Sequence, residues 1–135
     1  MEPFVTLHHF TNPIWFAKAG GWGNKKAPEY FEKYAKKIAE ELGNLVIYWI
    51  TINEPMVLTK MSYLTGQWPP FHKKDIVGFF RLISNLAEAH NRAYKILHRN
   101  SAQVGIAHNM SYIKPAHKGS PLGLFEAPIV FVVQY

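Results

Sequence analysis

The chain has 135 residues, with 48% apolar, 15% aromatic and only 18% charged side chains; that is enough apolar surface for one core and too little charge for a disordered chain. Nine Gly, nine Pro and no Cys exclude a coiled coil, a disulfide framework and a thiolate metal site. The net charge of +6 could suit nucleic acid, but Lys25, Lys26, Lys33, Lys36, Lys37, Lys73 and Lys74 fall at helix starts and on polar helix faces, so it reads as solvated surface charge with no nucleic-acid partner. Met1-Glu2-Pro3-Phe4-Val5 lacks the basic-then-apolar pattern of a signal peptide, and no uncharged apolar run reaches the ~18 residues of a membrane span. The expectation is a cytoplasmic chain with no membrane partner.

Phe4–Leu7 is apolar and β-prone and leads into His8-His9-Phe10, a strand ending in a loop. Thr11-Asn12-Pro13 and Gly20-Gly21-Trp22-Gly23-Asn24 carry loop residues. A helix is predicted from Pro28 to Leu42, with Phe31, Tyr34, Ile38 and Leu42 as its apolar stripe and Gly43-Asn44 as its stop. Leu45–Ile52 is a second strand, apolar on both faces, as in a parallel sheet covered by helices. A long loop from Asn53 to about Lys74 follows, and Asp75 can cap the next helix, whose stripe is read as Phe80, Ile83, Ala87, Tyr94 and Leu97. Gln103–His108 is a third strand. Ile129–Val133 favours strand by propensity alone, which leaves its state open.

The order β-loop-α-β-loop-α-β implies parallel strands with right-handed helical crossovers. Long loops after strands and short loops after helices are the asymmetry of a (β/α)8 barrel, whose strand-to-helix loops carry the site. Three strands cannot close a barrel, which takes at least ~200 residues. The expected fold class is therefore α/β, a partial (β/α)8 barrel with parallel strands, and residues 1–135 form a single incomplete domain.

Among the nine acidic residues, only Glu54 stands directly at the C-terminal end of a buried strand. Beside Ile50, Ile52, Pro55 and Met56 a carboxylate is partly desolvated, which favours the protonated form a general acid needs. The bland alternative is a Glu that merely caps a loop. Asn53 precedes it with an amide that can both donate to and accept from a hydroxyl. Strict alternation puts Asn53 and Glu54 on opposite faces, so both serve one site only if the strand ends or bulges there. Pro55 makes an end plausible.

His8 and His9 point in opposite directions on a strand and cannot chelate one metal together. His90 and His98 are not at chelating spacing on their helix, no serine sits in a nucleophile elbow, and the glycines form no phosphate loop. No metal or cofactor is expected. Trp49 reads as core; Trp22 and Trp68, in loops, could stack on the apolar faces of sugar rings.

Trp49-Ile50-Thr51-Ile52-Asn53-Glu54-Pro55 resembles the W-x-T-x-N-E-P signature of glycoside hydrolase family 1, the β-glucosidase and β-galactosidase family. Thr6-Leu7-His8-His9-Phe10 with Pro13 resembles its T-L-x-H-x-x-x-P strand, and Gly20-Gly21-Trp22 its G-G-W loop. Tyr63-Leu64-Thr65-Gly66-Gln67-Trp68-Pro69-Pro70 is similar to its Y-x-x-G-x-x-P-P loop, and Asn85 to His90 to its A-H helix. These five motifs, in order, cover roughly residues 3–109; the last 25 match poorly.

The resemblance implies the third to fifth βα units of a barrel that hydrolyses β-glucosides or β-galactosides with retention. It makes Glu54 the general acid/base, Asn53 a contact to the sugar 2-hydroxyl and His9 a contact in the same subsite. Position 10 is often Trp in the family; Phe10 keeps a ring but lacks the indole N–H. The family's nucleophile lies in a T-E-N-G motif that this sequence does not contain. Retention needs two carboxylates ~5–5.5 Å apart, so the family's reaction and the activity of this chain are separate questions. The expected partner is a β-glycoside or oligosaccharide, with self-association through exposed sheet edges. The alternative is a non-catalytic sugar-binding or interaction module built on a barrel slice.

Overall fold

The computed structural model describes residues 1–99, 102–113 and 129–134. Its elements are β1 (Phe4–His8), α1 (Ile14–Lys18), α2 (Ala27–Leu42), β2 (Tyr48–Asn53), α3 (Pro55–Thr59), α4 (Ile76–Leu97), β3 (Gln103–Ile113) and β4 (Ile129–Gln134). A 3₁₀ turn at Gly21–Gly23 leads toward α2, and a π-helical turn at Lys60–Leu64 extends α3.

The strands form one sheet in the order β1-β2-β3-β4. β1 pairs with β2, and β2 with β3, in parallel, with Val5 and Val104 flanking Trp49. This is the neighbour order that two helical crossovers require. Ile129–Gln134, whose state the sequence left open, is a strand antiparallel to β3, with Ile113 opposite Ile129. The barrel-like part of the fold is thus the three parallel strands.

Trp49, Thr51 and Ile52 are all buried, so β2 is covered on both faces. It starts later than its apolar run: Leu45 and Ile47 are exposed, while Val46 turns into the core. Helix α4 packs on β2 and β3, and α2 packs on α4. On α2 the buried face is Ala27, Pro28, Phe31 and Ala35; Tyr34 and Leu42 of the expected stripe are exposed.

The stripe expected for α4 is also corrected. Its buried residues are Gly78, Leu82, Leu86, Ala89, Ala93 and Leu97, whereas Phe80 is 64% exposed and Tyr94 37%. Phe80 and Tyr94 lie on the outer face, while leucines and small residues share the inner one. The small ones face inward because Gly and Ala let the helix axis approach the sheet and α2 closely. Asp75 caps α4 as expected, its Oδ1 accepting the Gly78 N–H at 2.8 Å.

Two helices lie inside segments read as loops. Both α1 and α3 are five residues long, too short for an apolar period to emerge. Pro55, read as the end of a strand, is equally the first residue of α3, where a missing N–H costs nothing.

Candidate active site

The C-terminal ends of the parallel strands bring the candidate residues together. His8 ends β1 and points into the helical layer, where it is 6% exposed. Trp22 Nε1–H donates to His8 Nε2 at 3.1 Å, and the Asn12 side chain lies 3.1 Å from the same nitrogen. Burial pushes the His8 imidazole down to about 4, partly offset by Asn12. His8 is therefore a neutral core residue. His9 takes the other side of the strand and is exposed, as alternation requires.

Asn53 is the last residue of β2, and its Nδ2 donates to His9 Nε2 at 3.3 Å. In that bond the amide donates and His9 Nε2 accepts. Glu54 follows in the left-handed region, φ 45° and ψ 58°, which is uncommon for a residue other than Gly. Its N–H donates to Ala107 O at 2.8 Å on β3, and its carbonyl accepts Leu58 N–H at 3.1 Å as the first bond of α3. Glu54 is half-buried.

The β2–β3 register shifts between Ile50 and Asn53, so the strand both bulges and ends at this point. The condition under which Asn53 and Glu54 can serve one site is met. The remaining described acids stand elsewhere: Glu29, Glu32, Glu40 and Glu41 on α2, Glu88 on α4, Asp75 at its cap, and Glu2 before β1. Glu126 lies outside the described residues. Among the described residues no three His, Asp or Glu side chains cluster as metal ligands, and no helix is long and apolar enough to cross a membrane.

The two loop tryptophans separate. Trp22 is 5% exposed, packed against Phe16 and Phe31, with its N–H spent on His8. It is core and cannot stack on a sugar, which corrects the expectation from its Gly-rich loop. Trp68 is half-buried and lies against Phe10, ring centres 4.8 Å apart; Phe10 in turn meets the His9 ring at 5.0 Å. An aromatic series therefore runs from His9 outward. Trp49 is core, its N–H donated to Val46 O at 3.2 Å.

The other motif residues brace this arrangement. Asn85 Nδ2 donates to Trp22 O at 2.7 Å and Asn24 O at 3.0 Å, tying the glycine loop to α4. A Cβ at Gly23 would meet the Tyr63 hydroxyl at 2.6 Å. Gly66 has φ +65°, and a Cβ there would meet His72 O at 2.8 Å, which only glycine avoids. Sequence reasoning assigned no role to Thr51, Asn85 or His90. Their place in the motifs was the only signal, because their partners lie 39 to 63 residues away along the chain.

Parallel strands wrapped by helices, with polar groups gathered where the strands end, define part of a (β/α)8 barrel with its candidate site on the catalytic face. The family model of glycosyl hydrolase family 1 matches residues 1–126, and the chain belongs to that family. It is 36% identical over 118 residues to β-glucosidase A of Thermotoga maritima, covering 86% of this chain and 26% of that protein. It is 37% identical over 113 residues to a 6-phospho-β-galactosidase of Clostridium acetobutylicum, covering 82% and 24%. Among solved structures, the Thermotoga maritima β-glucosidase with deoxynojirimycin superposes with a TM-score of 0.81 at 35% identity, covering 88% of this chain and 27% of that one. A β-glycosidase from Pyrococcus horikoshii gives 0.78 at 44% identity, covering 88% and 27%. The chain spans about a quarter of the length of these relatives.

Proposed function

We propose that this chain is the part of a retaining β-glycosidase that carries the acid/base, with Glu54 in that role, Asn53 on the sugar 2-hydroxyl and His9 in the same subsite. The observation that supports it best is the His9–Asn53 hydrogen bond immediately beside Glu54, at the strand ends where barrels of this kind place their chemistry. The substrate class is a terminal β-glucoside or β-galactoside. Glu54 protonates the leaving oxygen as the glycosidic bond breaks, then removes the proton from the water that releases the sugar. Attack at the anomeric carbon needs a second carboxylate, and the described acids stand on helices, at a helix cap or at the chain start. The 135-residue chain by itself is accordingly inactive in this reading, because the covalent route has no nucleophile among the described residues.

A paired assay tests this. The chain alone is compared with a chimaera in which it replaces the corresponding segment of a full-length family relative, on aryl β-glucoside and aryl β-galactoside. Turnover by the chimaera and none by the chain is the expected result. Turnover by the chain alone would overturn the missing-nucleophile argument, and an inactive but folded chimaera would overturn the assignment of the site.

A further inference from the structure

The ladder between β2 and β3 advances in step through Tyr48–Gln103, Trp49–Val104 and Ile50–Gly105, and the next pair is Asn53–Ala107. β2 therefore advances three residues while β3 advances two, which is one extra residue at Thr51-Ile52. An extra residue goes unpaired on the bulged strand, disrupts the ladder locally and re-aims the side chains that follow. Here a side chain within the bulge adds bonds of its own, across to β3 and to α4. Thr51 Oγ1 donates to Gly105 O at 3.2 Å, opposite the bulge, and lies 2.8 Å from His90 Nδ1 on α4. A hydroxyl has one proton. With that proton on Gly105 O, Thr51 Oγ1 accepts from His90, so the His90 proton sits on Nδ1.

Thr51 has no exposed surface, so no water can replace either bond. Beyond the bulge Glu54 N–H donates to Ala107 O, while Glu54 holds a left-handed conformation that is unfavourable for a residue with a side chain. Something must hold that turn in place, and neither Pro55 nor the first bond of α3 fixes its register against β3.

We infer that Thr51 and His90 are positioning residues: the hydroxyl, held between the His90 ring and the Gly105 carbonyl, locks the bulge that carries Asn53 and Glu54 to the same end of the sheet. This deepens the proposed function by naming what aims the acid/base, and it rests on that reading only for its purpose. The geometry is testable without substrate, so failure of the two can be told apart.

The test is hydrogen exchange at single-residue resolution on the 135-residue chain, comparing the Glu54 amide with the Trp49 amide in the regular part of the ladder. Thr51→Val keeps the shape and removes the hydroxyl; Thr51→Ser keeps the hydroxyl. In Thr51→Val the Glu54 amide should exchange about 10-fold faster relative to Trp49, the size of one lost hydrogen bond, and Thr51→Ser should restore it. His90→Phe, which leaves the bond to Gly105, should give a smaller acceleration in the same direction. Ring nitrogen shifts of His90 in the parent chain should report the Nδ1–H tautomer. An unchanged Glu54-to-Trp49 ratio in Thr51→Val overturns the inference, whether both amides stay protected or both lose protection. So does failure of Thr51→Ser to restore the ratio, or an Nε2–H tautomer at His90.

Discussion

Two adjacent histidines have opposite chemistry because a strand presents alternate residues to alternate faces. His9 meets Asn53 at the open end of the sheet, while His8 is sealed beneath Trp22. The burial of His8 has a consequence for stability. Its ordinary value is 6.5 and the folded value is about 4. Above pH 6.5 the ring is neutral in both states and folding is unaffected. Below it the unfolded chain takes up a proton that the folded chain refuses, so stability falls with pH and levels off near pH 4, a loss on the order of 3 kcal/mol. Urea midpoints at pH 7 and pH 4.5 check this. His8→Gln, which can still accept the Trp22 N–H, should flatten most of the slope; His90, lowered in the same direction by burial, accounts for what remains. A slope of unchanged size in His8→Gln would show that His8 does not refuse the proton.

The residue scale also marks what could be read in advance. Glu54 stood out as the one carboxylate placed directly at a strand end, and Pro55 as a reason for the strand to stop. The bulge that reconciles Asn53 with Glu54 could only be posed as a condition, because it depends on β3, fifty residues further on. The same holds for Trp22: a Gly-rich neighbourhood suggests an exposed ring, and only the packing of Phe16, Phe31 and His8 around it makes it core.

Among the elements, the strands and long helices were legible from hydrophobic pattern, and their parallel order followed from alternation. The faces of α2 and α4 were not. Both helices carry large apolar residues on the outer side, and choosing the stripe by size selected Phe80 and Tyr94 over Gly78, Ala89 and Ala93. The structure predicts a ranking that the sequence reverses. Leu86→Ala, at a site 2% exposed, should cost about 2–5 kcal/mol, whereas Phe80→Ala, at a site 64% exposed, should cost about 0.5 kcal/mol or less. The urea midpoint of the helical signal compares them. A larger loss for Phe80→Ala would restore the stripe read from the sequence.

Taken whole, the molecule leaves several large apolar side chains uncovered. Phe4, Ile14, Trp15, Val77 and Phe80 are each more than half exposed, and among the described strands β1 has a neighbour on one side only. An unpaired edge and uncovered apolar side chains favour association. Sedimentation at micromolar concentration should find oligomers that dissociate on dilution, and a monodisperse monomer with a sharp cooperative melt would contradict this.

Leaving-group dependence decides whether Glu54 acts as the acid/base. In the chimaera that completes the barrel, Glu54→Gln keeps the shape of the side chain but has no acidic proton to give. Aryl β-glycosides with poor leaving groups, which need protonation, should lose at least about 100-fold in rate, while those with good leaving groups should lose far less at the bond-breaking step. An equal loss on both kinds of leaving group would show that Glu54 does not protonate the departing oxygen.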